Sequence, residues 1–196
     1  MAHKAGFVNI LGNPNVGKST LMNKLVGEKL SIITNKSQTT RHRIMGIVNG
    51  EDFQIVYSDT PGIIKPNYKL QKSMMHFVDM AIEDADIILY VTDAVEDPDK
   101  NKMYIERIKK ENKPVLVLIN KIDQTSQMAL EGLVDKWAEY LPEASILPMA
   151  AKHKLNVDKV FDYIMHHLPE SDPYFPKDEL TDRSMRFFTS EMIREK

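Results

Sequence analysis

The chain has 196 residues, of which 42% are hydrophobic and 28% are charged, and its net charge of −2 does not indicate a general affinity for nucleic acid or a membrane surface. It contains no cysteine, which excludes disulfides, thiolate metal sites and cysteine nucleophiles and fits a reducing cytosol. No apolar run approaches membrane-spanning length, so we expect a soluble cytoplasmic protein.

The first elements predict a phosphate-binding loop. An apolar run at residues 7–11 predicts a buried strand, and residues 19–26 have apolar positions at helical spacing. Between them stands Gly12-Asn13-Pro14-Asn15-Val16-Gly17-Lys18-Ser19-Thr20, which contains the pattern G-x-x-x-x-G-K-S. Backbone N–H groups of such a loop and the positive end of the helix dipole face one anion. Lys18 is predicted to reach the outer phosphates and the Ser19 hydroxyl to bind Mg²⁺.

The remaining pattern predicts an α/β fold. After a long loop at residues 28–43, two apolar runs flank Asn49-Gly50, which indicates a hairpin. The predicted strands after the first lie at residues 44–48, 53–57, 87–91, 115–119 and 145–148, and the predicted helices after the first at 69–84, 99–112, 126–140 and 156–167. This alternation predicts a mostly parallel six-stranded sheet with one antiparallel edge strand and helices on both faces.

A proline-punctuated connector follows at residues 169–182. Asp182 is the predicted N-cap of a helix at residues 183–196, for which the first 168 residues offer no obvious partner. We interpret this helix as the start of a second domain.

A second candidate loop is Asp59-Thr60-Pro61-Gly62, directly after the hairpin. An aspartate at this place can hold Mg²⁺, and the Gly62 N–H can face a γ-phosphate. D-x-x-G alone is also compatible with a simple turn, but its position after a phosphate-binding loop favours function.

A third loop, Asn120-Lys121-Ile122-Asp123, predicts selection of the base. The Asp123 carboxylate can accept hydrogen bonds from the N1–H and N2–H groups of guanine, a donor pair that adenine lacks. The Lys121 stem can cover the base and Asn120 can connect neighbouring loops. The alternatives are a polar turn with a helix-capping aspartate, or a kinase or ATPase, which the guanine-reading pattern disfavours.

With these three motifs and Gln38-Thr39-Thr40-Arg41-His42-Arg43-Ile44, the chain resembles translation-factor-type GTPases, most closely the Era family. The resemblance implies a P-loop NTPase of the Ras-like type, with a GTPase domain at residues 1–168, a linker at 169–182 and the first helix of a KH domain at 183–196. It implies a GTP-hydrolysing monomeric switch in small-subunit ribosome assembly, with 16S rRNA as a partner of the complete protein, and peripheral association with the inner face of the cell membrane. The alternative is a P-loop switch that does not act on the ribosome. The sequence has no G-x-x-G loop, so we expect weak RNA binding by these residues alone.

The resemblance also assigns individual roles. Thr40 would complete the Mg²⁺ shell and sense the γ-phosphate, with Thr39 as the alternative. Ala150-Ala151-Lys152 occupies the fifth motif, in which the Ala151 N–H would contact guanine O6. That motif usually begins with serine, and its replacement by Ala150 is expected to loosen the loop.

The position after D-x-x-G, where Ras-like GTPases place a water-orienting glutamine, is Ile63. A hydrocarbon side chain cannot orient water, so we expect slow intrinsic hydrolysis that a partner, an ion or a switch rearrangement accelerates. Related potassium-activated GTPases have a K⁺-binding asparagine at the position of Asn15, although Asn15 could equally brace the loop by hydrogen bonding. The predicted catalytic residues are Lys18, Thr40, Gly62 and Asn15.

The basic cluster Arg41-His42-Arg43 has two interpretations. It could contact RNA phosphates, or it could form a solvated face, and the second interpretation is the more common outcome for adjacent charged residues.

Overall fold

The computed structural model describes residues 2–31, 40–94, 96 and 101–195. Within these residues the strands are β1 Lys4–Leu11, β2 Ile44–Asn49, β3 Phe53–Asp59, β4 Ile87–Asp93, β5 Val115–Asn120 and β6 Ser145–Pro148. The helices are α1 Lys18–Val26, α2 Lys69–Glu83, α3 Lys102–Lys110, α4 Gln127–Tyr140, α5 Val157–His167 and α6 Met185–Glu195. Residues 99 and 100, where the sequence predicts the start of the third helix, lie outside the described residues.

The strands form one six-stranded sheet in the order β2-β3-β1-β4-β5-β6. Only the β2–β3 pair is antiparallel, and the other neighbouring pairs run parallel. The register places Ile10 beside Asp59 and Asp93 beside Asn120. The motif-bearing loops therefore leave the same edge of the sheet, and the predicted fold class is confirmed.

Both faces of the sheet are covered, which explains why its strands are continuously apolar. In β4, the side chains of Ile88 and Tyr90 pack in the core formed with α2, α3 and α4. Those of Ile87, Leu89 and Val91 pack in the opposite core, formed with α1 and α5. Among the described residues, no helix combines the length and apolar composition needed to cross a membrane.

The start of α6 differs from the prediction. The Ser184 hydroxyl accepts a hydrogen bond from the Phe187 N–H at 3.4 Å, so Ser184 caps the helix. The Asp182 carboxylate instead accepts from the Met45 N–H at 3.2 Å, on the edge strand β2. The predicted N-cap at Asp182 is wrong because its carboxylate is the hydrogen-bond partner of an edge-strand N–H instead of a helix N–H.

The residues between α5 and α6 pack along the sheet. The buried Gln54 side chain accepts hydrogen bonds from the Tyr174 and Phe175 N–H groups at 2.7 and 3.0 Å. Further along, the Ile47 N–H donates to the Leu180 carbonyl oxygen at 2.9 Å. This segment thus supplies hydrogen-bond partners to backbone groups of the edge strand β2 that would otherwise be exposed to solvent.

The beginning of α6 also has partners, contrary to the prediction. The Arg183 guanidinium donates to the Arg43 carbonyl oxygen at 2.7 Å. The Phe187 ring lies 6.2 Å from the His42 ring, which lies 6.0 Å from that of Phe77 on α2.

Arg43 corrects the interpretation of the basic cluster as a solvated face. Arg41 and His42 are exposed, but Arg43 is buried. Its guanidinium donates to the Ser58 hydroxyl at 2.6 Å and forms an ion pair with Asp84, the residue that follows α2. These contacts remove Arg43 from any RNA-facing role and fix the start of β2.

We expect Arg43→Ala to lower the free energy of unfolding by about 2–3 kcal/mol, because it leaves buried acceptors without their charged donor. Urea denaturation measures this change. Arg41→Ala removes an exposed charge from the same cluster and should stay within about 0.5 kcal/mol of the unaltered protein. Equal denaturation midpoints for the two variants would contradict a structural role for Arg43.

Candidate nucleotide-binding site

The loop between β1 and α1 has the backbone of an anion-binding nest. Gly12, Asn15 and Gly17 have φ angles of 141°, 64° and 103°. A Cβ atom at Gly12 would collide with the Val91 carbonyl oxygen, and one at Gly17 would collide with the Asn120 side chain. Glycine is therefore required at both positions, and the loop curls in front of the α1 N-terminus.

Lys18 is held over this loop. Its buried ammonium donates to the Asn13 carbonyl oxygen at 2.6 Å. Burial lowers the Lys18 pKa to about 8, while the negative charges of Asp59 and Glu96 oppose the shift. A phosphate group beside the ammonium would favour its charged form further.

The three predicted magnesium ligands come together. The Ser19 hydroxyl donates to Asp59 Oδ2 at 2.7 Å. Thr40 Oγ1 lies 3.2 Å from Ser19 Oγ and 3.4 Å from Asp59 Oδ2. The alternative residue, Thr39, lies outside the described residues.

Asp59 provides the test of whether this cluster suits a cation. Its Oδ1 atom is buried and has no hydrogen-bond partner among the described residues. Burial raises the Asp59 pKa, and Lys18 and the hydroxyls of Ser19, Ser31 and Thr40 oppose the shift. A carboxylate oxygen with unused acceptor capacity beside two hydroxyls fits the oxygen-ligand preference of Mg²⁺.

The D-x-x-G loop contacts the phosphate-binding loop through its backbone. A Cβ atom at Gly62 would lie 2.6 Å from the Pro14 nitrogen, so glycine is needed for this approach. The Ile63 N–H donates to the Gly12 carbonyl oxygen at 3.0 Å. The Thr60 hydroxyl donates to the Ile10 carbonyl oxygen at 2.7 Å.

The side chains of Thr60 and Ile63 are both buried, and that of Ile63 belongs to the core beneath α2. The backbone of these two residues would therefore have to make the predicted contact with nucleotide, which stays a prediction.

Asn120 connects three loops, as predicted. Its Nδ2 group donates to the Val16 carbonyl oxygen at 2.8 Å, and its Oδ1 atom accepts from the Ala151 N–H at 2.9 Å. The Ala151 N–H therefore faces Asn120, which differs from the predicted contact with guanine O6. Lys121 donates to the Asn15 carbonyl oxygen at 2.7 Å and to Asp93 Oδ2 at 2.8 Å, so its stem crosses between the loops.

Asp123 lies at the rim of the site. Its side chain is 32% exposed, and its Oδ2 atom lies 3.7 Å from His153 Nε2. A carboxylate so placed remains accessible to a planar base. The sequence does not predict His153 as part of the site, because a single histidine after the fifth motif has no distinctive local pattern.

The fifth motif is held by backbone and side-chain hydrogen bonds. Ala150 exchanges two backbone hydrogen bonds with Leu155, at 3.2 and 3.1 Å. The Asn156 side chain donates to the Pro148 carbonyl oxygen at 2.8 Å. These contacts hold the loop without a serine hydroxyl, and a looser loop than one with serine at position 150 stays a prediction. Lys152 is exposed at its surface.

The model of the family described as 50S ribosome-binding GTPase matches residues 7–121. The chain belongs to this GTPase family. The matched range contains the phosphate-binding loop and the D-x-x-G loop and ends within the guanine-reading motif, at Lys121.

Individual relatives agree with this assignment. The chain is 41% identical over 194 residues to GTPase Era of Clostridium kluyveri, covering 98% of this chain and 66% of that protein. It is 42% identical to an Aquifex aeolicus Era variant bound to GDP and AlF4⁻, with a TM-score of 0.91. It is equally identical to Era in complex with MgGDPNP and nucleotides 1506–1542 of 16S ribosomal RNA, with a TM-score of 0.92. Both structural matches cover 98% of this chain and 66% of the other. The predicted resemblance to the Era family is confirmed, and the chain spans about two thirds of the length of these relatives.

Proposed function

We propose that this GTPase-family chain binds GTP at the described edge of the sheet, hydrolyses it to GDP and phosphate, and changes the arrangement of its switch loops as it does so. The observation that carries the proposal is the convergence of Ser19, Thr40 and Asp59 beside the phosphate-binding loop. Two similar solved structures hold a guanine nucleotide, GDP with AlF4⁻ in one and MgGDPNP in the other.

Each group has a distinct part in this proposal. The Ser19 and Thr40 hydroxyls and the Asp59 carboxylate would hold Mg²⁺, which neutralises phosphate charge when bound. The Lys18 ammonium, which donates to the Asn13 carbonyl oxygen, would also donate to the outer phosphates through its remaining N–H groups. Because Thr40 lies in the first switch loop, contacts of Thr40 with Mg²⁺ and the γ-phosphate would hold that loop, and loss of the γ-phosphate would release it.

We propose that intrinsic hydrolysis is slow. The Ile63 side chain is buried in the core, so it offers no polar atom to an attacking water. Asn15 is the candidate K⁺ ligand, and such an ion would neutralise charge that develops during phosphoryl transfer. The alternative is that the Asn15 side chain braces the loop; the hydrogen bond from Lys121 to the Asn15 carbonyl oxygen involves only the backbone and is compatible with both roles.

For the complete protein we propose a role in assembly of the small ribosomal subunit, with 16S rRNA as a partner. The support is the similar Era structure in complex with a 16S rRNA fragment. We place the main RNA contacts in the third of the relatives' length that this chain does not span. Cytoplasmic location, peripheral association with the inner membrane and the monomeric state remain predictions.

Calorimetry in Mg²⁺ tests the nucleotide. We expect GTP to bind at least about 100-fold more tightly than ATP, because adenine leaves the Asp123 carboxylate without donors. Asp123→Asn should shift the preference toward xanthosine triphosphate, since xanthine presents an acceptor where guanine presents a donor. Asp135→Asn, the same change on an exposed part of α4, should keep the guanine preference. A protein that binds both purine triphosphates equally would refute the proposal.

Steady-state hydrolysis in KCl and in NaCl of equal ionic strength tests Asn15. If the Asn15 amide binds K⁺, the rate should be roughly tenfold or more higher in KCl, because the ion acts where an arginine finger otherwise supplies positive charge. Asn15→Ala should remove this difference. Equal rates in the two salts would leave only the bracing role.

A gel shift with an oligonucleotide from the 3′ end of small-subunit rRNA tests the RNA proposal. We expect this chain to bind weakly and a longer form that includes a KH domain to bind tightly, because the sequence has no G-x-x-G loop with which a KH domain clamps the nucleotide backbone. Tight binding by the 196-residue chain would contradict the proposed location of the RNA contacts.

A further inference from the structure

A carboxyl group that the proposed mechanism does not use lies beneath the phosphate-binding loop. Glu96 follows β4 and is 8% exposed. Its Oε1 atom accepts hydrogen bonds from the Tyr90 hydroxyl at 3.1 Å and from Asn101 Nδ2 at 2.8 Å. It is therefore a buried acidic group with specific donors on β4 and just before α3.

Asn101 extends these contacts to the phosphate-binding loop. Its Nδ2 group also lies 2.8 Å from Asn13 Oδ1. The carbonyl oxygen of the same Asn13 accepts the hydrogen bond from Lys18 at 2.6 Å. A continuous chain of contacts thus leads from the Glu96 carboxylate to the residue that holds the lysine.

A negatively charged Glu96 lowers the stability of the folded state. Burial raises its pKa to about 6, and the negative charge of Asp93 acts in the same direction. Hydrogen bonds from Thr92, Tyr90 and Asn101 oppose the shift. Because the folded-state pKa lies above the ordinary glutamate value of 4.5, the contribution of Glu96 to stability is greatest at low pH and is lost as the pH rises through about 6. A glutamate that lowers stability at neutral pH but has several specific donors is a candidate for a role in function.

We propose that Glu96 and Asn101 are positioning residues for the phosphate-binding loop. The Glu96 carboxylate orients the Asn101 amide, and the Asn101 amide fixes Asn13. Asn13 then presents its carbonyl oxygen, and with it the Lys18 ammonium, at the place where the phosphates bind. The inference rests on the proposed function, because it concerns how the same site holds a guanine nucleotide.

The polar and charged groups around Glu96 interact with its negative charge. The Tyr90 hydroxyl on β4 and the Lys18 ammonium on α1 interact favourably with a negative Glu96, and this negative charge opposes the lowering of the Lys18 pKa. The Asp93 carboxylate repels it but is paired with Lys121 at 2.8 Å. From α4, the uncharged Trp137 ring packs against the Tyr90 ring, with their centroids 5.2 Å apart.

Release of a fluorescent GDP, methylanthraniloyl-GDP, in Mg²⁺ between pH 5.5 and 8 tests the proposal. At pH 7.5 we expect Glu96→Gln to release the nucleotide roughly three- to tenfold faster, the effect of weakening about one charge-assisted hydrogen bond. As the pH falls through about 6, the rate of the unaltered protein should rise toward that of the variant, whose rate should not show this step. His153 beside Asp123 is present in both proteins, so its effect on nucleotide release is the same in both and does not change the difference between their rates.

Two further variants serve as controls. Glu106→Gln makes the same change on an exposed part of α3 and should follow the unaltered protein at every pH. Asn101→Ala keeps the Glu96 carboxylate but removes the contact with Asn13, so it should release nucleotide quickly across the whole range. Glu96→Gln should melt at or above the temperature of the unaltered protein at pH 7.5, because the buried charge is gone.

The outcomes separate this inference from the proposed function. If the unaltered protein binds guanine nucleotides selectively but Glu96→Gln releases them at the same rate at all pH values, the positioning role is wrong and the proposed function stands. A lower melting temperature for Glu96→Gln with a parallel loss of binding would mean that Glu96 is only structural. If the unaltered protein binds no guanine nucleotide, both fail.

Discussion

The phosphate-binding loop depends on being held from behind by its neighbours in the sheet. Its positive-φ residues form a shape that an isolated turn would not keep, because fixing each residue costs about 1–2 kcal/mol of conformational entropy. The Val91 backbone lies against Gly12, and the Asn120 amide holds Val16 from the end of β5. Asn120 also binds Ala151, so one side chain couples the phosphate-binding loop to two loops at the guanine side. The parallel register that sets Asp93 beside Asn120 is therefore a condition for the site as well as for the fold.

The same edge of the sheet concentrates charges that the interior disfavours. Burial moves the pKa of Lys18 down and that of Asp59 up, so each group is under pressure to lose its charge. Each opposes the shift of the other, but Asp59 retains a buried oxygen without a partner among the described residues. A magnesium-bound polyphosphate would interact more strongly with these buried charges than with the same charges exposed to solvent, because it carries charges opposite to both. Its binding should also stabilise the folded state through mass action.

Local patterns are sufficient to predict the strands, the hairpin at Asn49-Gly50 and the three motifs, because each depends on neighbours within a few residues. The failures arise where a distant partner decides the outcome. Arg43 belongs to a basic run in the sequence, but its guanidinium binds Asp84, and the Asp182 carboxylate accepts a hydrogen bond from the edge-strand N–H of Met45. Thr60 and Ile63 show a different limit, since a motif identifies a loop but not which of its side chains turn into the core. Asp93 could have been predicted as part of the site, because it ends β4 at the edge where the other motifs lie.

Strand β2 connects the nucleotide site to the end of the described chain. It begins four residues after Thr40, and its edge accepts the segment that leads to α6. Arg43 stands at the junction: its side chain is fixed beneath the sheet by Ser58 and Asp84, and its carbonyl oxygen accepts from Arg183. The anchored side chain therefore fixes the chain three residues after Thr40. His42 lies between Thr40 and Arg43 and contacts Phe77 on α2 and Phe187 on α6, so the start of α6 lies against the residues that connect Thr40 to β2.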